Sequence, residues 1–233
     1  MPCPGRSKQR PYLLTPHDFM RIDTFLFDLD GTLVDSVADL ATAVNLLRSE
    51  LSLPPLDIPT VRGYVGDGAT FLVKRSLPEG LFSEERLQRF LSHYGEHLLE
   101  NTALYPGIRP FLDERKSTGM KMAVVTNKPH RLTLLLLEGL ALNSYFPVVI
   151  GGDSLPQKKP DPRPVWRAME ELAAAPESTV LIGDHHTDLA AGRAAGIRTC
   201  FCAWGIGVDG GLPHDFRAAT AFDLPILFPP ATP

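Results

Sequence analysis

At 233 residues, 44% of them hydrophobic, and with a formal charge of only −4, the chain can fill one sizeable domain or a domain carrying an insert. The slight acidic excess gives no basic face for nucleic acid or an anionic membrane, and no run approaches the roughly 18 apolar residues of a membrane span, so a soluble globular protein is expected. Of the cysteines, Cys3, Cys200 and Cys202, the last two are one residue short of Cys-x-x-Cys spacing, so free thiols in a reducing cytoplasm are expected over a metal site or disulfide.

Residues 1–21 hold Pro2, Pro4, Pro11 and Pro16 among polar and basic side chains, lack the apolar stretch of a secretory signal, and read as a flexible N-terminal extension. The folded pattern starts near Ile22. An apolar run at 24–27 predicts a strand that empties into Asp28-Leu29-Asp30-Gly31-Thr32. In a strand, side chains at i and i+2 share a face, so Asp28 and Asp30 are expected to converge. Two close carboxylates repel by roughly 4 kcal/mol at an effective dielectric of about 20, which calls for a cation or a shared proton between them.

About seventy residues then intervene before the next strand, far more than a loop and one helix need. They are helical in period. Val37, Leu40, Ala41, Val44, Leu47 and Leu51 follow a Ser36-x-x-Asp39 capping signal, and Leu87, Phe90, Leu91, Tyr94 and Leu98 follow Ser83. The economical division is an all-helical cap domain over 36–103, inserted into a core made of 22–35 and 104–233. A hinge there would open and close over the carboxylates.

Further apolar runs at 121–125, 146–150, 179–182 and 199–203 are rich in Val, Ile and Phe without polar alternation, as in strands buried on both faces of a parallel sheet. Helical segments separate them at 110–118, 130–138, 162–174 behind a capping Asp161, and 188–195. This alternation predicts a doubly wound, Rossmann-like α/β core. From Gly205 the pattern is irregular, with 222–227 packing a last turn on the core.

Polar groups follow the first four strands: Asp28 and Asp30, then Thr126-Asn127, then Gly151-Gly152-Asp153, then Gly183-Asp184 with Asp188. The carboxyl ends of the strands in such sheets are where ligands bind. Taken singly, these are ordinary turn and cap residues, and Asp153 and Asp161 are read so. The ordered set, together with Lys158-Lys159 ahead of a helix, is not accounted for in that way.

In order, Asp28-x-Asp30-Gly31-Thr32-Leu33-Val34-Asp35-Ser36, Thr126-Asn127-Lys128, Lys159-Pro160 and Gly183-Asp184-x-x-x-Asp188 resemble the four-motif series of the haloacid dehalogenase-like phosphatase superfamily, over residues 22–204. Leu104-Tyr105-Pro106-Gly107, Gly151-Gly152-Asp153-Ser154-Leu155-Pro156, Lys159-Pro160-Asp161-Pro162 and Gly66-Asp67-Gly68 look most like bacterial phosphoglycolate phosphatases. The resemblance implies an Mg²⁺-dependent phosphomonoester hydrolase. Asp28 would form an aspartyl phosphate while Asp30 serves as acid and then base, a division that mutual repulsion of the pair favours. It implies phosphate contacts from Gly31, Thr126, Asn127 and Lys159. Metal contacts would come from Asp28, the backbone carbonyl of Asp30, and Asp184, with Asp188 in support. The second Asp argues for phosphate-ester rather than carbon–halogen chemistry.

One departure stands at His185-His186, where the family shows a small Ser. These residues either favour Mn²⁺, Co²⁺ or Zn²⁺ or simply enter the helix beside an Mg²⁺ site. Selectivity would lie in the insert, with amides at Gly66, Asp67 and Gly68 and charge from Lys74, Arg75 or Arg62. The implied partner is a small phosphorylated metabolite, 2-phosphoglycolate first, met by a cytoplasmic monomer or homodimer without nucleic acid or membrane. A sugar-phosphate phosphatase, pyrophosphatase or phosphoglucomutase would keep the same motifs, whereas a non-catalytic protein of this fold would have lost one.

Overall fold

The computed structural model describes residues 22–229, so the extension expected at 1–21 lies outside the described residues. The strands are β1 (Thr24–Phe27), β2 (Val34–Asp35), β3 (Ala103–Leu104), β4 (Lys121–Val125), β5 (Val148–Ile150), β6 (Thr179–Gly183), β7 (Arg198–Cys202) and β8 (Phe216–Ala218). Six of them form one parallel sheet in the order β5-β4-β1-β6-β7-β8, while β2 and β3 make a separate antiparallel ribbon. The chain winds one way from β1 through β4 to β5 and the other way from β6 to β8, which is the expected doubly wound α/β topology.

The continuous apolar strands follow from cover on both faces. Phe25 and Phe27 point to one side, where they meet Phe111, Phe146 and Phe228 edge-on at centroid distances of 5.6–6.3 Å. Leu26 points to the other, among Val125, Leu181, Val165, Ala168 and Ala191. The covering helices are α5 (Ile108–Ser117), α6 (His130–Gly139), α7 (Arg163–Leu172) and α8 (His186–Ala195), with α9 (Leu224–Leu227) near the end. Phe27 is level with Val124 of β4 and with Ile182 of β6. The residues that follow these three strands therefore emerge at one edge.

Between β2 and β3 lie α1 (Val37–Glu50), α2 (Ile58–Arg62), α3 (Ala69–Ser76) and α4 (Glu84–Glu96). Val34 pairs with Leu104 and Asp35 with Ala103, so the chain leaves and returns through the same ribbon. The apolar stripes of α1 and α4 are buried at Leu40, Val44 and Leu47 and at Leu87, Phe90 and Tyr94. Ser83 caps α4 by accepting from the Arg86 N–H at 3.2 Å. No helix among the described residues is long and apolar enough to cross a membrane.

Three details differ from expectation. β5 begins at Val148 because Phe146 turns into the aromatic cluster beside Phe27. β8 falls in the stretch whose sequence is irregular, and its three residues gain strand character only by pairing with β7, Cys200 with Phe216 and Cys202 with Ala218. Ser36 stands at the N-cap of α1 but makes no capping bond with its side chain.

Asp39 is likewise spent elsewhere. Its buried carboxylate accepts from Asn101 N and Nδ2, both at 2.9 Å, and from Thr102 N and Oγ1 at 2.8 and 2.7 Å, tying α1 to the returning strand. Burial pushes its carboxyl up, but the hydrogen bonds from Thr102 and Asn101 outweigh it and hold the group below the usual carboxylate range. Asp39→Ala would leave these donors without partners and is expected to cost about 3 kcal/mol, roughly 6–12 °C in Tm. Because the folded value is depressed, this stabilisation is present above the unfolded carboxyl's pKa and is lost as pH falls through the folded one. The Tm gap between wild type and variant should thus narrow in acid; a gap independent of pH would contradict the assignment.

Candidate active site

Beyond the last paired residue of β1, the Asp28 N–H still donates to Ile182 O at 2.9 Å, which carries Asp28 to the sheet edge before Gly31 turns the chain with φ +89°. Gly31 is needed on steric grounds as well, since a Cβ there would lie 2.1 Å from Asp184 Oδ2. Asp184 follows β6 directly, Asp188 sits in the first turn of α8, and Thr126 follows β4. Lys159 reaches in from the loop before α7.

These elements bring Asp28, Asp184 and Asp188 together, with an oxygen of each within 4.8 Å of the others. Lys159 Nζ lies among them, 2.7 Å from Asp28 Oδ1, 2.6 Å from Asp188 Oδ1 and 2.5 Å from Val125 O. Burial disfavours its charge, but the carboxylates of Asp188 and Asp28 more than offset this and raise its pKa. Burial also pushes Asp28 up to about 6, with repulsion from Asp188 opposing the pull of Lys159. Asp184 is pushed up to about 7 by burial and then by Asp28 and Asp188. Three carboxylates around one ammonium leave surplus negative charge in a nearly dry pocket. An all-oxygen donor set with that surplus fits a hard divalent cation such as Mg²⁺, and Mn²⁺ accepts the same ligands.

Asp184 is held by groups the sequence did not suggest. Its Oδ2 accepts from the N–H groups of Ile206 and Gly207, each at 2.8 Å, and its Oδ1 accepts from Thr32 Oγ1 at 3.2 Å. Trp204 Nε1 donates in turn to Thr32 O at 3.2 Å. In sequence, Gly205 onward reads as an irregular tail. Its only signal was the closely spaced pair Gly205 and Gly207.

The Asp30 carboxylate has partners of its own. Its Oδ1 accepts from Ser36 Oγ at 2.5 Å, and Lys128 Nζ lies 3.0 and 3.2 Å from its two oxygens. The buried Lys128 ammonium also donates to Tyr94 Oη of α4. Each member of the carboxylate pair thus has its own lysine. The i, i+2 argument weakens here because regular strand geometry ends at Phe27, one residue before the pair.

The other expected residues divide. Thr126 is buried beside Asp28 and lines the same cavity, as do Asn127, Gly66 and Gly68. Asn127, expected on the phosphate, spends both Nδ2 protons elsewhere, on Gly66 O at 3.0 Å and Lys159 O at 2.9 Å. Lys74 and Arg75, expected to supply charge for substrate, do not line the cavity: Lys74 Nζ lies over the Phe82 ring at 4.8 Å, and Arg75 pairs with Asp67 Oδ2 at 2.5 Å. The sequence missed Lys128 and Tyr94, which do line it.

His185 and His186 fall outside the acidic cluster. His185 caps α8, with Nδ1 3.0 Å from Thr187 Oγ1 and 3.4 Å from Thr187 N, and its own N–H donates to Asp188 Oδ2 at 3.1 Å. Cys200 and Cys202 are buried free thiols on β7, and burial pushes Cys200 up to about 12.

The cavity over Asp28 has a volume of ≈ 50 Å³, room for about four waters. Asp28, Asp30, Thr126 and Lys128 line its core side; Leu72, Phe90 and Tyr94 of α3 and α4 line the opposite side. Lys128 is the cation on the cavity wall, and Lys159 lies behind Asp28.

Residues 25–202 match the family model described as haloacid dehalogenase-like hydrolase. The phosphoglycolate phosphatase of Chromobacterium violaceum is 40% identical over 191 residues, covering 79% of this chain and 86% of that protein. That of Pseudomonas putida is 38% identical over 214 residues, covering 88% and 78%. The crystal structure of a predicted phosphoglycolate phosphatase from Haemophilus somnus superposes with a TM-score of 0.80 at 28% identity, covering 88% of this chain and 97% of the other. With a family match across most of its length and relatives of this similarity, the chain belongs to the haloacid dehalogenase-like hydrolases, among their phosphatases.

Proposed function

We propose that this chain is a phosphomonoesterase for a small anionic metabolite, 2-phosphoglycolate in the first place, working through an aspartyl phosphate on Asp28 with Mg²⁺ as its metal. The observation that carries the reading is the placement of Asp28. It is a buried carboxylate, aligned by Lys159 through Oδ1, on the floor of a small cavity beside Thr126. The same reading places the chain in the cytoplasm.

Lys159 takes one oxygen of Asp28 and leaves Oδ2 without a hydrogen bond among the described residues, so Oδ2 is the nucleophile. It bonds to phosphorus as the ester P–O bond breaks, and Asp30 passes a proton to the departing oxygen. Asp30 then takes a proton from the water that attacks the phosphorus of the aspartyl phosphate, releasing inorganic phosphate and restoring Asp28. Thr126 donates its hydroxyl to a phosphoryl oxygen, and Lys159 balances charge during transfer. Asp28, Asp184, Asp188 and the Asp30 carbonyl would hold Mg²⁺. When bound it supplies charge neutralisation to the phosphoryl oxygens. Lys128 is the cation that a substrate carboxylate would meet, and such a group competes with Asp30 for it.

The small cavity and the names of the relatives at 38–40% identity favour 2-phosphoglycolate over larger esters. A substrate panel tests this. In Mg²⁺, phosphate release from 2-phosphoglycolate is expected to exceed that from a hexose phosphate or pyrophosphate by at least about tenfold in kcat/KM. A chelator should abolish all release. Faster turnover of a sugar phosphate would overturn the substrate, and release without metal would overturn the mechanism.

A further inference from the structure

The two histidines that stand apart from the acidic cluster converge with a third residue. Asp67, His185 and His186 each present a ligand atom within 4.8 Å of the others. Asp67 comes from the loop ahead of α3, the histidines from the start of α8, so the trio joins two segments more than a hundred residues apart. The loop is seated closely on this spot. A Cβ at Gly66 would lie 2.8 Å from His185 Nε2, and the Gly66 carbonyl is held by Asn127 Nδ2 at 3.0 Å. Arg75 steadies the loop through Asp67 Oδ2 and through Tyr64 O at 3.1 Å, which leaves Asp67 Oδ1 unbonded among the described residues.

We propose that Asp67, His185 and His186 form a second metal site, selective for a borderline-soft divalent ion such as Zn²⁺, and that its occupation locks the 66–68 loop onto α8 and slows turnover. Two imidazoles and a carboxylate with a further position open to water make a common zinc donor set, and imidazole disfavours Mg²⁺. Binding through His185 Nε2 selects the tautomer in which Nδ1–H donates to Thr187 Oγ1 at 3.0 Å. That exchange gives up only the long 3.4 Å contact from Thr187 N, and a ring orientation fixed from its second nitrogen is what a metal-bound histidine needs. Slowed turnover follows from position: Gly66 and Gly68 line the small cavity, so fixing this loop restrains a wall that substrate and product must pass.

The test uses the full-length protein with millimolar Mg²⁺ present to fill the acidic cluster, and Co²⁺ as a spectroscopic stand-in for Zn²⁺. Wild type is expected to bind one Co²⁺ with the visible absorption of a nitrogen-ligated ion. His186→Ala and Asp67→Asn, checked for folding by circular dichroism, should each weaken that binding by at least about tenfold. Asp184→Asn should retain it. Zn²⁺ should inhibit phosphate release by wild type at concentrations that His186→Ala tolerates. Failure of wild type to bind Co²⁺ over Mg²⁺, undiminished binding in folded His186→Ala, or loss of binding in Asp184→Asn would overturn the site. The binding arm does not depend on the proposed substrate. Zn²⁺ that binds at the site without slowing release would overturn the lock.

Discussion

Asp28→Asn is expected to remain folded while releasing phosphate on the order of 10⁴-fold more slowly, or not at all, equivalent to about 5 kcal/mol or more of transition-state stabilisation. An amide offers no carboxylate oxygen to attack phosphorus, and no neighbouring group substitutes for it. Asp30 is engaged with Ser36 and Lys128, and Asp188 lies against Lys159. Stability should move the other way or not at all. Burial and the Asp188 carboxylate already oppose the charge on Asp28, and its charge in turn pushes Asp184 up. A neutral isostere removes those repulsions and keeps an acceptor for Lys159. Steady-state phosphate release and a thermal melt read the two effects together. A folded variant with wild-type rate would remove Asp28 from the mechanism.

Lys159→Met is expected to damage both rate and stability. The ammonium bridges Asp28 and Asp188 and is itself only 3% exposed. Without it, three buried carboxylates face one another with no cation from the described residues among them. Removing one partner of a buried ion pair costs about 3–5 kcal/mol, which for a chain of this size is a fall of roughly 10 °C in Tm. The loss of charge balance during phosphoryl transfer adds roughly 10²–10³-fold in kcat. Mg²⁺ should recover part of the stability, because it neutralises the same carboxylates, but little of the rate. A variant that melts like wild type in chelator would show that Lys159 does not compensate this cluster.

Most of the core was legible because its signals are local. The runs at 24–27, 121–125 and 179–182 need no partner information to be read as strands: apolar residues without alternation already imply cover on both faces, and β1, β4 and β6 bear this out. β8 was not legible, since Phe216, Arg217 and Ala218 carry no pattern and become a strand only against β7. Ser36 and Asp39 show how a correct motif can be put to another use. Their spacing suits a helix cap, yet the hydroxyl serves Asp30 and the carboxylate serves Asn101 and Thr102. Local competition between caps and more distant donors is settled by which donors are buried, and that is a tertiary matter.

The linear order of residues alone determined the α/β class and the set of polar groups that the strands deliver to one edge, because a strand's end and the residue after it are fixed within a few positions. Which charges meet was decided by the tertiary structure. Asp28 and Asp30, adjacent but for one leucine, find separate lysines 131 and 98 residues away. Asp184 is held by the Ile206 and Gly207 amides, and His185 and His186 turn from the acidic cluster toward Asp67. Coulombic and hydrogen-bond energies depend on distances of a few ångströms in a desolvated site. Those distances follow from sheet order and from how the helices between β2 and β3 seat over it, which no spacing in the sequence encodes.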